Sequence, residues 1–251
     1  MAEHRIGTRE EWQGAHKKLI EQEKELAERS RELAERRREL PWVPLEKDYT
    51  FATEEGEQTL AELFEGRSQL VAYHIMFGPD YTLGACPGCS NLADHFDAGV
   101  IHLNHRDVTF IAISRAPLEM IRAYKQRMGW QFPWVSSYDS DYQFDFGFAF
   151  TPEQMQADVF QQMVKEAPDW LQEWSVAVGA DLEKGLAEGP GWTVFALENG
   201  VVHHTYSRHA PDGALLAPYY YQLLDQTPLG RGDEFRATRH DEYEDAAGQP
   251  G

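Results

Sequence analysis

The chain has 251 residues, 42% of them apolar and 26% charged, with seven Trp, eleven Tyr and thirteen Phe. That is enough for one large domain, or a domain with an appendage, around a real core, and too aromatic for a disordered chain. The formal net charge of −19 excludes nucleic acid and anionic membrane as natural partners, because binding phosphate needs Lys and Arg to displace counterions.

Residues 1–9 are polar and lack the apolar centre of a signal peptide, and no run of about 18 apolar residues occurs, so the chain reads as cytoplasmic with no membrane span. Residues 1–40 hold 10 Lys/Arg and 10 Asp/Glu, so the rest of the chain carries the whole −19. Within this neutral arm, residues 8–40 predict a long polar helix, opened by a Thr8–Glu11 capping box and ended by Pro41. Trp12, Leu19, Leu26, Leu33 and Leu40 recur every seven residues, but the complementary positions His16, Glu23, Ser30 and Arg37 are polar. The stripe is too narrow for a full two-stranded seam; it suits packing on the main domain or on a second subunit, which would make a homodimer.

From residue 41 to about 226 the pattern becomes that of an α/β domain. Residues 49–51 and 58–60 flank Gly56 as a short hairpin, followed by a helical turn at 60–64. Residues 70–77 are almost continuously apolar, the mark of a strand buried on both faces. Residues 91–104 predict one helix with Leu92, Phe96, Val100 and Leu103 on a face. Residues 108–114 give a second buried strand, and Pro117 and Gly129 bracket a helix. This order predicts parallel strands joined by a right-handed crossover. The aromatic run 134–150 reads as a buried, turn-rich piece of core, with a pocket lining as the alternative. Residues 151–190 read as an acidic, partly helical insert. Asn199-Gly200 joins 192–197 to 201–206 in a hairpin. Leu215, Leu216, Tyr219, Tyr220, Leu223 and Leu224 fit a last helix, and 227–251 is a polar tail.

The only two cysteines stand in Cys86-Pro87-Gly88-Cys89, where the helix after the first buried strand should begin. Two cysteines three positions apart make no framework of staples; the pair is a redox motif, half a zinc site or a pair of small buried hydrophobes. A thiolate at a helix start is stabilised by free amides, and Pro87 suits the first helical position. This predicts Cys86 as nucleophile and Cys89, one turn on, as the resolving thiol. His95, His102, His105, His203, His204 and His209 match no tight ligand signature, so no metal and no cofactor is expected. No phosphate loop, dinucleotide fingerprint or serine elbow occurs.

Strand, CxxC at a helix start, strand, helix, hairpin and helix together resemble the thioredoxin-like superfamily. The stretches 49–76, 111–114 and 129–136 with Pro117 are similar to its peroxiredoxin-like branch. Tyr73-His-Ile-Met-Phe-Gly-Pro79, His102-Leu-Asn-His-Arg-Asp107 and Arg127-Met-Gly-Trp-Gln-Phe-Pro-Trp-Val-Ser136 resemble a bacterial family, domain-of-unknown-function 899, over about residues 8–230. The resemblance implies a thioredoxin-like fold with a central mixed sheet flanked by helices, and thiol chemistry regenerated by an external thiol reductant. In the peroxiredoxin-like signature a Pro is followed by Thr or Ser after four positions and by Cys after seven. Pro79 and Cys86 keep that span, whereas position 83 is Leu and the hydroxyl is at Thr82. That branch's later Arg is absent, leaving Arg115 as a substitute donor, and Trp192 stands where thioredoxins place a cis-proline. The functional expectations are a thiol–disulfide oxidoreductase, a thiol peroxidase using the same thiols, or a non-catalytic binding module that recruits partners through the N-terminal helix.

Overall fold

The apolar run at 70–77 forms the centre of an eight-stranded sheet in the computed structural model, which describes residues 5–209, 219–228, 230 and 237–243. In chain order the strands are β1 (Val43–Pro44), β2 (Thr50–Thr53), β3 (Gly56–Thr59), β4 (Gln69–His74), β5 (Val108–Ser114), β6 (Trp134–Ser136), β7 (Gly191–Glu198) and β8 (Val201–His209). They lie side by side as β1-β8-β7-β4-β5-β6-β2-β3. β4–β5 and β5–β6 are parallel, and β7 runs antiparallel between β4 and β8. A helix, α2 (Pro87–Ala93), connects β4 toward β5, and the β7–β8 hairpin closes the other side. This is a central mixed sheet flanked by helices, as the resemblance implied.

The chain divides into two compact units, Met1–Pro41 and Trp42–Gly251. The first is helix α1 (Arg9–Arg38), whose Thr8–Glu11 capping box forms as expected. Acidic residues in its first turn and basic ones in its last complement the helix dipole. None of its described residues is buried, and Trp12, Leu19, Leu26 and Leu33 of the stripe are exposed. No helix among the described residues is long and apolar enough to cross a membrane.

In the second unit, period-2 alternation divides the core between the two faces of the sheet. Tyr73 of β4 with Phe110 and Ala112 of β5 face one cluster; Leu70 and Ala72 with Ile111 and Ile113 face the other. Each such large apolar side chain contributes roughly 1.5–3 kcal/mol by its burial. Strand β6 is absent from the sequence expectation because three residues, all buried, show no period. The helix expected over 91–104 is broken into α2 and α3 (Asp97–Asn104). The break at 94–96 lets Asp94 accept from the Trp130 indole, at 2.9 Å, and Asp97 accept from the amides of Gln131 and Phe132. Helix α4 (Leu118–Met128) ends at Gly129, whose φ of 71° is the left-handed cap that glycine supplies readily. Beyond β6 come α5 (Tyr142–Asp145), α6 (Pro152–Met155), α7 (Asp158–Lys165), α8 (Asp169–Val178) and α9 (Leu182–Leu186). Asn199 and Gly200, at φ of 53° and 80°, make the tight β7–β8 turn. Helix α10 covers Tyr219–Leu224; Leu215 and Leu216 lie outside the described residues.

His74, at the end of β4, is fully enclosed between the rings of Phe148 and Tyr142. Its nitrogens meet Gln143 Oε1 at 2.6 Å and Thr193 Oγ1 at 3.0 Å, and Thr193 also bonds the Tyr142 hydroxyl. Burial drives its pKa down to about 3. In the unfolded chain it protonates near 6.5, so its contribution to stability is whole above that pH and is lost as pH falls toward 3. Between about pH 6 and 4, His74→Gln is therefore expected to lose stability less steeply than the native chain, by roughly 1.4 kcal/mol per pH unit. Urea midpoints at stepped pH measure this; parallel slopes would remove His74 as the titrating group. Glu188, pushed up to about 7 by burial, works in the opposite direction in both chains and cancels in the comparison.

Candidate functional site

Cys86 is the N-cap of α2 and Pro87 its first residue. The Cys86 amide is tied to Met76 O at 2.9 Å, just past β4, so the cap is anchored to the sheet. Its carbonyl accepts from the Ser90 amide at 2.9 Å and the Ser90 hydroxyl at 3.0 Å, and Ser90 Oγ also meets Tyr124 Oη at 2.8 Å. Gly84, just before the motif, has φ of 123°, and a side-chain carbon there would stand 2.3 Å from the Tyr124 ring. Only glycine lets the loop pass this close to Tyr124.

Both cysteines are unbridged and buried, with Cys86 8% exposed. The Cys86 sulfur accepts from the Trp174 indole at 3.2 Å, and the Cys89 thiol and the amides of Cys89 and Gly88, at the helix start, favour its thiolate. These donors, the Cys89 thiol first, outweigh burial and hold Cys86 well below the ordinary thiol range, at about 6. Cys89 is pushed the other way by its bond to Cys86, by burial and by the charge on Cys86. The Tyr73 hydroxyl and the Met76 amide lie within bonding reach of Cys89 and favour its thiolate. One sulfur thus favours the thiolate while its neighbour keeps its proton.

Trp174 belongs to the acidic insert, on α8, and close approaches on several sides build its place. Thr82 donates to Gly179 O at 2.7 Å and the Leu83 amide to Val178 O at 3.1 Å, which docks the loop before Cys86 on the end of α8. A side-chain carbon on Gly179 would lie 2.3 Å from Thr82 Oγ1, and one on Gly185 would lie 2.6 Å from the Trp174 ring. Tyr81, buried, meets Trp174 edge-on and donates to Gly185 O at 2.8 Å.

The other residues singled out from sequence are distributed as follows. Pro79 occupies the second position of a turn closed by the Tyr81 amide on Gly78 O, at 3.2 Å, a place its fixed φ suits. Thr82 has its hydroxyl on Gly179, as above. Arg115 is not aimed at the thiols: it pairs with buried Glu188 at 2.7 Å and lies over Phe144. Trp192 pairs in register with Tyr73, ring centroids 4.6 Å apart, and so backs the tyrosine that reaches Cys89. His204 meets Ser207, and His209 meets Phe146 O. Among the described residues no three His, Cys, Asp or Glu side chains converge as a metal site requires. Sequence reasoning missed Trp174, Tyr73 and Arg239. Arg239, from the supposed polar tail, is 2% exposed beside Ala85.

If the indole N–H helps hold the Cys86 thiolate, Trp174→Phe in a Cys89→Ser background will raise the midpoint of the pH profile for Cys86 alkylation. A charge-assisted hydrogen bond of ~1.5 kcal/mol corresponds to about one pH unit. A midpoint that stays where it was would show that Trp174 contributes packing alone.

No similar sequence is found among the curated proteins. Similar solved structures include the Xanthomonas campestris bacterioferritin comigratory protein, described for its alkyl peroxide reduction activity. It is 14% identical over 68% of this chain and 84% of that one, with a TM-score of 0.41. The peroxidoxin BcpB of Mycobacterium tuberculosis is 15% identical over 66% of this chain and 84% of its own, with a TM-score of 0.39. Reduced Prx3 of Vibrio vulnificus, solved with hydrogen peroxide, is 14% identical over 72% and 90%, with a TM-score of 0.37. The model of the family described as "Bacterial protein of unknown function (DUF899)" matches residues 1–244, nearly the whole chain, and the protein belongs to that family.

Proposed function

We propose that the chain is a thiol–disulfide oxidoreductase in which Cys86 is the nucleophile and Cys89 the resolving thiol. The observation that carries the reading is a buried Cys86 sulfur at a helix N-cap that accepts from the Trp174 indole, one turn from a second buried thiol held in its protonated form. Cys86 as thiolate attacks one sulfur of a substrate disulfide; that S–S bond breaks and the other sulfur leaves as a thiolate. With the charge on Cys86 consumed in the mixed disulfide, the main influence raising Cys89 is gone. Cys89 passes its proton to the leaving thiolate or to water and attacks Cys86, with the Tyr73 hydroxyl and Met76 amide steadying its charge. The substrate leaves as a dithiol, reduced by two electrons, and Cys86–Cys89 is oxidised. An external thiol reductant restores the dithiol.

A peroxide would use the same two thiols, but its oxygens need donors aimed at them. Arg115 and Thr82, the side chains offered for that task, are engaged by Glu188 and Gly179.

The test is to mix the reduced chain with a cystine-bridged peptide or with hydrogen peroxide and follow formation of the internal disulfide by mass. Faster oxidation by the peptide is expected, with Cys86→Ser inert and Cys89→Ser halted at a mixed disulfide of the summed mass. Faster oxidation by peroxide would make the chain a thiol peroxidase. Oxidation by neither would leave a non-catalytic binding module.

A further inference from the structure

Residues 237–243 cross over the start of α2, and their contacts are those of a bound peptide. A side-chain carbon on Gly88 would stand 3.8 Å from Cys86 Sγ and 4.0 Å from Ala237 Cβ, so the segment and the thiol border the same glycine. The Asn91 side-chain amide of α2 donates to the main-chain carbonyl of Thr238, a contact blind to side-chain identity. Arg239 is extended, with φ of −64° and ψ of 143°, and its guanidinium enters a pocket of main-chain carbonyls. Nε and Nη2 donate to Ala85 O at 3.1 and 2.7 Å, Nη2 also donates to Ala177 O at 3.0 Å, and the Tyr124 ring forms one wall. Carbonyls arranged for several N–H groups in one plane fit a guanidinium and not an ammonium. Beyond Arg239 the anchors are exposed: His240 on Asp94 at 2.7 Å, and Asp241 and Glu242 on Arg127 at 2.6 and 2.9 Å. Exposed pairs of this kind hold weakly and are screened by salt.

Resting on the oxidoreductase reading, we propose that residues 237–243 are an internal occupant of the groove that receives the disulfide-bearing substrate. That substrate is an extended polypeptide with an arginine two residues after the one that borders Gly88. The groove's three recognition elements all belong to the thiol site. Ala85 precedes Cys86, Asn91 lies on the helix that Cys86 caps, and Ala177 is on α8, which carries Trp174. A polypeptide substrate displaces the strap and offers its own guanidinium to the same carbonyls, with its sulfur where Ala237 lies.

The experiment follows alkylation of Cys86 by iodoacetamide in full-length Cys89→Ser chains, with rates corrected for thiolate fraction from each pH profile. Arg239→Ala is expected to react about tenfold faster, the factor that ~1.4 kcal/mol of lost closure gives. The peptide acetyl-Ala-Thr-Arg-His-Asp-Glu-amide should slow Arg239→Ala again, and the same peptide with Ala for Arg should not. Arg127→Glu, an exposed change that repels Asp241 and Glu242, should also accelerate alkylation and serves if Arg239→Ala does not fold. Rates equal to that of the parent in both variants, or equal protection by the two peptides, would overturn the proposal. Failure of the oxidoreductase reading would appear elsewhere, as an ordinary thiol pKa or as no exchange with disulfides, and the rate ratios would remain readable.

Discussion

An anionic sulfur out of water is the constraint around which this structure is arranged. Burial alone would push Cys86 upward, and an uncompensated buried charge costs several kcal/mol even after the protein relaxes. The cost is offset only if N–H and S–H groups converge on the sulfur, each contributing on the order of 1.5–3 kcal/mol when its acceptor is charged. The amides of Gly88 and Cys89 come with the helix start, whereas the indole of Trp174 comes from 88 residues further along the chain. Holding that indole in place accounts for the tight approaches at Gly179 and Gly185 and for the buried Tyr81 beneath it. The insert is therefore part of the thiol site and no mere appendage to the sheet.

The sheet does a second job through simple alternation. Tyr73 and His74 are adjacent on β4 and so point to opposite faces. Tyr73 turns toward Cys89, with Trp192 in register behind it; His74 turns into a separate network with Gln143 and Thr193. A one-residue slip of β4 would exchange them, placing an imidazole at the thiol and a phenol in the His74 slot. The six-residue pairing of β4 with both β5 and β7 makes that slip expensive, which is how a strand register becomes a determinant of thiol chemistry.

Much of the scaffold was legible because its causes are local. The apolar run at 70–77, the Thr8–Glu11 box, Pro117 with Gly129, and Asn199-Gly200 each act within a few residues, and each forms as expected. Cys86 at a helix start was legible for the same reason. Trp174 was hidden because its partner is 88 residues away, in a stretch whose composition looked like solvent-facing helix. Arg239 was hidden more deeply. A lone arginine in a polar tail gives no sign of burial, and beside Glu242 its acceptors are main-chain carbonyls that no residue type announces. Arg115 shows the converse case. Offered from sequence as a substitute donor, it is occupied by an acidic partner, Glu188, that lies 73 residues on.

The charge distribution joins these local features to the question of substrate. Outside residues 1–40 the chain carries all of its −19, and the strap supplies a buried guanidinium, that of Arg239, to the carbonyl just before Cys86. An acidic surface raises the local concentration of cationic partners and repels anionic ones over distances of about a Debye length, 8 Å at physiological salt. Main-chain carbonyls beside Cys86 extend the same preference to contact range, since they bond N–H groups and offer nothing to a carboxylate. Long-range field and short-range pocket thus favour the same chemistry in the occupant proposed for the groove, a polypeptide that brings a guanidinium. On that proposal, a thiolate that would repel an anionic disulfide stands where an arginine-bearing one is drawn in.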